Sequence, residues 1–233
     1  MKNQLVVGNW KATKTIKETI EWVNLVKNGF DKNKNIKIVI CPPFTSLHTF
    51  KSLVLDVPYF KIGAQDVSKF KKGAYTGEVT AAMLEGLVDY AIVGHSERRK
   101  YFGEGDDDVL RKVENLLEFS ITPILCVSDI KQLDSYLERG KKIIEEAKKI
   151  IFVYEPPSAI SGGGDYHPES PKVANENAAE ISRKIGKEVT ILYGGSINPE
   201  NINEFFSQEK ITGGLVGQAS TEPTTFLKLI SNI

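Results

Sequence analysis

The stretch at residues 150–165 reads IIFVYEPPSAISGGGD and holds the pattern that decides the fold. Its first five residues form a continuous run of β-branched and aromatic side chains, which is typical of a strand buried on both faces. The run ends at Glu155, and Pro156 and Pro157 prevent the strand from continuing. A carboxylate is therefore expected at the carboxyl end of a buried strand, where burial would raise its pKa towards that of a general base.

The same pattern of an apolar run followed by a helical pattern occurs eight times along the chain. The runs are residues 5–8, 36–40, 60–64, 90–93, 123–127, 150–154, 189–193 and 214–216. Helical patterns occupy residues 15–27, 46–55, 78–87 and part of 134–149, and further helices are expected to start near Asp106, at Ser170-Pro171, at Asn198-Pro199 and near Glu222. Strands that alternate with helices indicate parallel pairing through right-handed crossovers.

Eight such units predict a closed α/β barrel of the (β/α)8 type, formed by residues 1–233 as a single domain. The alternative is an open, doubly wound sheet. The barrel is favoured because polar side chains and glycine turns follow the first, fourth, sixth, seventh and eighth strands. Only a closed ring brings all of these strand ends to one place.

Composition and charge exclude several classes of protein. The 233 residues include 30 Lys plus Arg and 30 Asp plus Glu, so the net charge is zero. A protein that binds nucleic acid or a membrane surface would be expected to have an excess of basic residues. No apolar run approaches the roughly 20 residues that span a bilayer, and the opening MKNQLVVGNWK does not have the pattern of a signal peptide. Cys41 and Cys126 are isolated, which is typical of free thiols in a reducing cytosol rather than of a metal site. We therefore expect a cytoplasmic protein without a bound metal.

Four groups at the predicted strand ends could share one site with Glu155. Lys11 follows the first strand, His95 the fourth, Gly194-Gly195-Ser196 the seventh and Gly217-Gln218 the eighth. Taken singly, such a lysine is usually a solvated charge, such a histidine is more often structural, and glycine pairs occur in many turns. His95 differs because a helix is expected to start directly after it, and a helix N-terminus disfavours imidazolium. The glycine turns offer backbone N–H groups where barrels commonly bind phosphate.

Together these groups suit one class of reaction. A carboxylate base, a neutral imidazole, an ammonium group and an anion cradle fit proton abstraction next to a carbonyl group on a small phosphorylated substrate. The imidazole and the ammonium group would hold the oxyanion that develops.

Seven short motifs lie at or near the strand ends. They are GNWK (8–11), GAQDVS (63–68), GAYTGEVTAAML (73–84), VGHSERR (93–99), YEP (154–156), YGGS (193–196) and LVGQAS (215–220). In order and spacing they resemble the triosephosphate isomerase family over essentially the whole chain. The resemblance implies a TIM barrel that interconverts dihydroxyacetone phosphate and D-glyceraldehyde 3-phosphate in glycolysis and gluconeogenesis, without metal or organic cofactor.

The resemblance also implies a role for each residue of the site. Glu155 would shuttle the proton, His95 would be the neutral electrophile, and Lys11 would stabilise negative charge. Asn9 would help to position substrate and Lys11, and Glu97 would support Lys11. The phosphate would be bound at Ser161, Ser196, Gly217 and Gln218, with Gly194 and Gly195 shaping the turn. Arg98 and Glu104 would belong to a structural ion pair.

Residues 67–77 form a long connection that resembles the family's dimer-forming loop. Typical connections of this kind have roughly two to six residues, and this one contains Phe70 and Tyr75. The resemblance implies a homodimer in which Thr76 lies close to the neighbouring active site. A flexible surface insertion is the alternative, and the three lysines of the loop would fit it.

Several positions depart from the family pattern. Pro157-Ser158 stands where the family usually has an aliphatic residue and a tryptophan, and Ser161 and Gln218 stand where glycine is usual. Ser128-Asp129 replaces Gly-Glu. Two other functions therefore stay open: a different barrel enzyme acting on a phosphorylated substrate, and a catalytically weak phosphate-binding scaffold that acts through partners.

Overall fold

The computed structural model describes residues 4–31, 34–160 and 167–233, and in them eight parallel strands form a closed barrel. The strands are β1 (Gln4–Asn9), β2 (Ile36–Cys41), β3 (Phe60–Ala64), β4 (Tyr90–Val93), β5 (Thr122–Val127), β6 (Ile151–Tyr154), β7 (Thr190–Tyr193) and β8 (Gly213–Val216). The helices are α1 (Ile16–Gly29), α2 (Leu47–Val54), α3 (Ala81–Leu84), α4 (Ser96–Phe102), α5 (Asp106–Glu118), α6 (Ile130–Arg139), α7 (Lys141–Glu145), α8 (Pro171–Ile185), α9 (Ile202–Phe206) and α10 (Pro223–Ser231).

Each strand pairs with the next one along the chain, and β8 pairs with β1 to close the ring. At this seam Leu5 lies opposite Gly213. A β-carbon on Gly213 would lie 1.9 Å from the Leu5 carbonyl oxygen, so the close approach of the two strands requires glycine. The expected (β/α)8 barrel is confirmed, and the open doubly wound sheet is wrong.

Two apolar layers hold the barrel together. Inside the ring, alternate strand residues such as Val7, Val39 and Ile92 pack against one another. Between the strands and the helices lies a larger cluster, in which Trp10 and Trp22 meet edge to face with ring centroids 4.8 Å apart. Because every strand is buried on both faces, the strands have continuous apolar sequences rather than alternating ones.

Local sequence signals place most of the helices. Thr15 and Glu18 form a reciprocal capping box at the start of α1. The expected starts of α5 at Asp106 and of α8 after Ser170 are confirmed, and Gly186 ends α8 in the left-handed conformation. The last helix also begins where the sequence predicts it, directly after Glu222.

Three helix predictions need correction. The pattern at 78–87 yields only the four residues of α3, because Glu85 adopts an extended ψ of 131° and Gly86 a φ of +68°. The pattern at 134–149 is divided at Gly140 into α6 and α7, and α6 starts earlier because Asp129 accepts a hydrogen bond from the Gln132 N–H. Asn198 accepts from two N–H groups of its own turn, so α9 begins later, at Ile202.

Within the described residues, no helix is both long and apolar enough to span a membrane.

Candidate active site

The carboxyl ends of the strands surround a cavity of about 150 Å³. Two of its lining residues end or belong to strands, Asn9 of β1 and Leu215 of β8. The others follow β1, β4, β6, β7 and β8: Trp10, Lys11, Thr13, His95, Ala159, Ile160, Gly194, Gly195, Ser196, Ile197, Gly217, Gln218 and Thr221. The barrel thus brings together Lys11, His95 and the two glycine turns, as the closed-ring prediction required.

Both backbone polar groups of Lys11, its N–H and its carbonyl, are hydrogen-bonded. Its φ of +52° lies in the left-handed region that non-glycine residues rarely adopt. The Lys11 N–H donates to Asn9 Oδ1 at 3.0 Å, and the Lys11 carbonyl accepts from Gln65 Nε2 at 2.8 Å. The Lys11 ammonium group lies 2.5 Å from Glu97 Oε1. These contacts aim a partly exposed cation into the cavity and keep the strained backbone in place.

His95 caps the N-terminus of α4, as the sequence predicts. Its Nδ1 accepts a hydrogen bond from the Glu97 N–H at 3.2 Å, so the ring proton is carried by Nε2. Nε2 lies 3.0 Å from Glu155 Oε1. The imidazole is therefore oriented as a donor, with its Nε2–H facing the base and the cavity.

The pKa of His95 moves against the sequence expectation. Burial lowers it, but the Glu155 carboxylate and, after it, the Glu97 carboxylate more than offset burial, and the net direction is upward. The Glu155 carboxylate therefore opposes the effect expected of the helix N-terminus while it contacts the ring. The bond from the Glu97 N–H to Nδ1 still favours the neutral form, because it occupies the lone pair that a second proton would need.

Glu155 follows β6 as predicted, and its side chain is fully buried. Its carboxylate accepts from the Ser96 backbone N–H at 3.0 Å and from the Ser96 hydroxyl at 3.2 Å, besides its contact with His95. The carboxylate also lies by Cys126, whose thiol pKa is raised mainly by burial and then by Glu155. Glu155 does not line the cavity, so in this arrangement the carboxylate is turned towards the start of α4.

The two glycine turns form the wall of the cavity beside Lys11. A β-carbon on Gly217 would lie 3.4 Å from Lys11 Cε, which places this turn next to the ammonium group. On Gly194, a β-carbon would lie 2.6 Å from Val153 Cγ1, so this backbone packs directly against β6. No described residue accepts a hydrogen bond from the backbone N–H groups of Ser196 or Gly217. Both groups can donate to an anion.

Gln218 keeps an ordinary backbone conformation. Within residues 4–31, 34–160 and 167–233, the only non-glycine residues with positive φ are Lys11 and Ser120. Gln218 begins a 3₁₀ turn, and its side chain is exposed at the rim of the cavity. Gln218, which stands where the family usually has glycine, therefore causes no strain from a left-handed backbone conformation.

The segment after Glu155 starts with a 3₁₀ turn at Pro157–Ala159. The Ser196 hydroxyl donates to the Ala159 carbonyl at 2.7 Å, which ties this turn to the loop after β7. Ser161, the fourth residue expected to bind phosphate, lies outside the described residues.

A buried ion-pair cluster lies beside the site, between the ends of β3 and β4 and the helices α4 and α5. Glu104 pairs with Lys112 and with Arg98, whose Nε lies 2.8 Å away, and also accepts from the Gly94 N–H. Asp66 contacts the same two cations. Burial opposes ionisation of Glu104, but Lys112 and then Arg98 outweigh it and lower its pKa. The cluster joins the ends of β3 and β4 to α4 and α5.

Two residues of the site were not singled out from the sequence. Ser96 holds the Glu155 carboxylate, and Gln65 bridges the carbonyl groups of Lys11 and Cys41. Both lie inside motifs that carry the family resemblance. Their partners come from other strands, so spacing along the chain gives no signal for their roles.

The sequence profile described as triosephosphate isomerase matches residues 4–233. The chain belongs to the triosephosphate isomerase family. A triosephosphate isomerase from Gloeothece citriformis is 40% identical, with 99% of this chain and 99% of the relative aligned. The one from Dictyoglomus turgidum is 38% identical with 99% of each chain aligned, and the one from Aquifex aeolicus is 37% identical with 97% of this chain and 98% of the relative aligned.

Proposed function

We propose that this protein interconverts dihydroxyacetone phosphate and D-glyceraldehyde 3-phosphate. The observation that carries the proposal is the placement of His95 Nε2 between the Glu155 carboxylate and a cavity shared with Lys11. Membership of the triosephosphate isomerase family supports the same reaction. The proposed chemistry uses protein side chains alone.

In the proposed mechanism, Glu155 removes a proton from the carbon next to the substrate carbonyl group. The electron pair of the broken C–H bond forms the enediolate double bond, and the carbonyl oxygen becomes an oxyanion. His95 Nε2–H and the Lys11 ammonium group stabilise that oxyanion, because they are fixed donors in a site shielded from bulk water. The proton of the adjacent hydroxyl group passes to the oxyanion through His95 Nε2, which gives up one proton and takes up the other, so that the hydroxyl carbon becomes the new carbonyl carbon. Glu155 then returns its proton to the carbon that carried the original carbonyl group, which completes the isomerisation.

Glu155 must leave its hydrogen bonds with Ser96 before it can act. Its side chain is fully buried and accepts from both donors of Ser96. A substrate carbonyl that bonds to His95 would replace the contact between His95 and Glu155. We infer that this exchange frees the carboxylate and also removes the cause that raises the pKa of His95, so that the ring serves as a neutral donor.

The phosphate group is proposed to bind at the two glycine turns. The N–H groups of Ser196 and Gly217 are available as donors, and Lys11 lies beside the second turn. The N–H groups of Gln218 and Ser161 would add to this set by family resemblance. Closing of the segment after Glu155 over the substrate would exclude water and protect the enediolate.

The substitution Glu155→Gln tests the proposal. Glutamine keeps the shape of the side chain but cannot take up the proton, so we expect kcat for glyceraldehyde 3-phosphate in a coupled assay to fall at least about a hundredfold. Glu180→Gln, which removes a carboxylate from the exposed pair with Arg183, is the matched control and should keep normal kcat. A Glu155→Gln protein with normal circular dichroism and near-normal turnover would exclude Glu155 as the base.

The same assay separates the other two functions. A scaffold would bind phosphate without turnover, and another barrel enzyme would leave both trioses unchanged. Neither is favoured, because Asn9, Lys11, His95 and Glu155 are all present and the first three line one cavity.

We infer that residues 1–233 act as one domain and that two copies form a homodimer through residues 67–77. The loop makes contacts of its own: the rings of Phe70 and Tyr75 stack with centroids 4.0 Å apart, and Lys69 pairs with Asp108. Residues 71–78 are nevertheless all exposed in the single chain. A cytoplasmic location is supported by two buried free cysteines, Cys41 and Cys126.

A further inference from the structure

The amino end of the barrel, opposite the candidate active site, has a depression of about 700 Å³. Lys37 of β2 points into it. Along β2, Lys37 alternates in phase with Val39 and Cys41, which pack inside the barrel. Its ammonium group lies 5.6 Å from the centre of the Tyr90 ring of β4, so the exposed charge lies over the mouth of the barrel.

Lysines surround this mouth. Lys34, Lys37, Lys148 and Lys149 line the depression, and no described carboxylate does. Two of the four are already engaged: Lys34 donates to the carbonyls of Ser231 and Ile233, and Lys149 pairs with Glu146 at 2.8 Å. Lys37 and Lys148 have no carboxylate partner among the described residues. In a chain of zero net charge, this one-sided lining is a local positive field.

The two unpaired lysines face each other across the barrel. Lys37 belongs to β2, whereas Lys148 lies in the 3₁₀ turn at Ala147–Lys149, just before β6. In a ring of eight strands in sequential order, β2 and β6 lie on opposite sides. Two ammonium groups on opposite sides of the barrel mouth suit an elongated ligand with an anionic group at each end better than a single small anion.

The floor between the lysines is partly apolar. Leu5, Tyr90 and Ile151 close the barrel interior at this end, and Thr122 and Thr190 add polar atoms at neighbouring strand starts. A volume of this size lies within the range of small-molecule sites, roughly 300–1,000 Å³. We propose that the amino end of the barrel binds a small organic dianion with a phosphate or carboxylate group at each end and an apolar middle.

The first experiment measures binding to the whole protein at an ionic strength of about 0.15 M, where weak surface attraction is screened. The probes are 1,6-hexanediol bisphosphate and hexyl monophosphate, which share the apolar chain and differ in the second phosphate. We expect the bisphosphate to bind at least about tenfold more tightly by isothermal titration calorimetry. Equal affinity for the two probes would overturn the proposal.

Backbone amide shifts locate the bound probe. The bisphosphate should shift the amide signals of Thr122 and Thr190 at the amino end. Shifts confined to Ser196 and Gly217, at the opposite end, would mean that the probe binds only in the candidate active site, and the proposal would be rejected. This readout does not depend on isomerase activity.

The second experiment reverses the charge of single lysines and measures binding of the bisphosphate again. Lys37→Glu and Lys148→Glu should each weaken binding of the bisphosphate at least about tenfold, while Lys172→Glu, an exposed lysine paired along α8 with Glu176, should not. All three residues are exposed, so the fold and the isomerase activity should persist. Unchanged affinity in both Lys37→Glu and Lys148→Glu would contradict a ligand that bridges the mouth.

Discussion

At the scale of single residues, the Glu155 carboxylate raises the pKa of the neighbouring His95 imidazole. Because the carboxylate favours imidazolium and burial disfavours it, removing the carboxylate should leave burial dominant. We expect Glu155→Gln to lower the pKa of His95, measured by a ¹⁵N imidazole titration of the ligand-free protein. An unchanged or higher pKa would mean that another group, Glu97 first among them, sets the charge of His95.

Gln218 permits a second test at this scale. Since its backbone has no left-handed strain to relieve, Gln218→Gly should not rearrange the turn. Contacts to the phosphate hold substrate and enediolate alike, so we expect KM to change by less than about tenfold, equivalent to 1.4 kcal/mol, with kcat nearly constant. Steady-state kinetics decides the matter, and a large loss of kcat would place Gln218 in lid closure or in the chemistry.

The sequence predicts which side chains meet at the candidate site better than it predicts their electrostatics. Lys11, His95 and Glu155 could be named because each lies within three residues of the end of an apolar strand run. The raised pKa of His95 could not, since it depends on a contact between residues that follow β4 and β6. Likewise, nothing in the order of residues shows that Ser96 would hold the Glu155 carboxylate.

At the scale of secondary-structure elements, the cluster of Glu104, Lys112 and Arg98 fixes α4, and with it His95, against α5. Breaking a buried pair leaves an uncompensated charge, so Glu104→Gln should lower the free energy of unfolding by about 3 kcal/mol. Urea denaturation at neutral pH measures this loss. The exposed Glu180→Gln should change stability by less than about 0.5 kcal/mol and serves as the control.

The difference in the free energy of unfolding between the native protein and Glu104→Gln should depend on pH in a definite direction. The pKa of Glu104 is lowered in the folded protein, so its contribution is complete above the ordinary glutamate pKa and is lost as the pH falls through the lowered value. The gap in stability between the native protein and Glu104→Gln should therefore narrow in acid. A gap that stays constant down to pH 3 would argue against the ion pairs as its cause.

Element boundaries were harder to predict than element types. The apolar periodicity at 78–87 continues beyond α3, but the backbone turns away at Glu85 and Gly86. Asp129 shows the opposite case, since it caps α6 although the helical pattern is clear only from Asp134 onwards. Caps and left-handed residues act over single turns, whereas periodicity is measured over a dozen residues.

At the scale of the whole molecule, exposed apolar side chains support the proposed homodimer surface. Tyr75 is 43% exposed, and Phe44, Met83 and Phe102, which follow the adjacent strands β2, β3 and β4, are exposed as well. We expect light scattering to give about twice the chain mass of 25.9 kDa at micromolar concentration. Tyr75→Glu should shift the protein towards monomer, whereas Val173→Glu, on the outer helix α8, should not.

Activity completes that test. If Thr76 lies near the active site of the neighbouring subunit, the Tyr75→Glu protein should have a lower kcat once it dissociates into monomers. A native protein that is monomeric at micromolar concentration and fully active would contradict the proposed dimer.

The pairing of β1 with β8 has a consequence for synthesis on the ribosome. β1 emerges first and its partner β8 emerges last, so one edge of β1 stays without its native partner until residues 213–216 have left the exit tunnel. An unpaired strand edge is a template for association with other chains, and contacts between distant parts of a chain form slowly. Nascent chains of this protein therefore carry an open, apolar strand edge throughout translation, and closing the ring is a step that only the finished barrel can take.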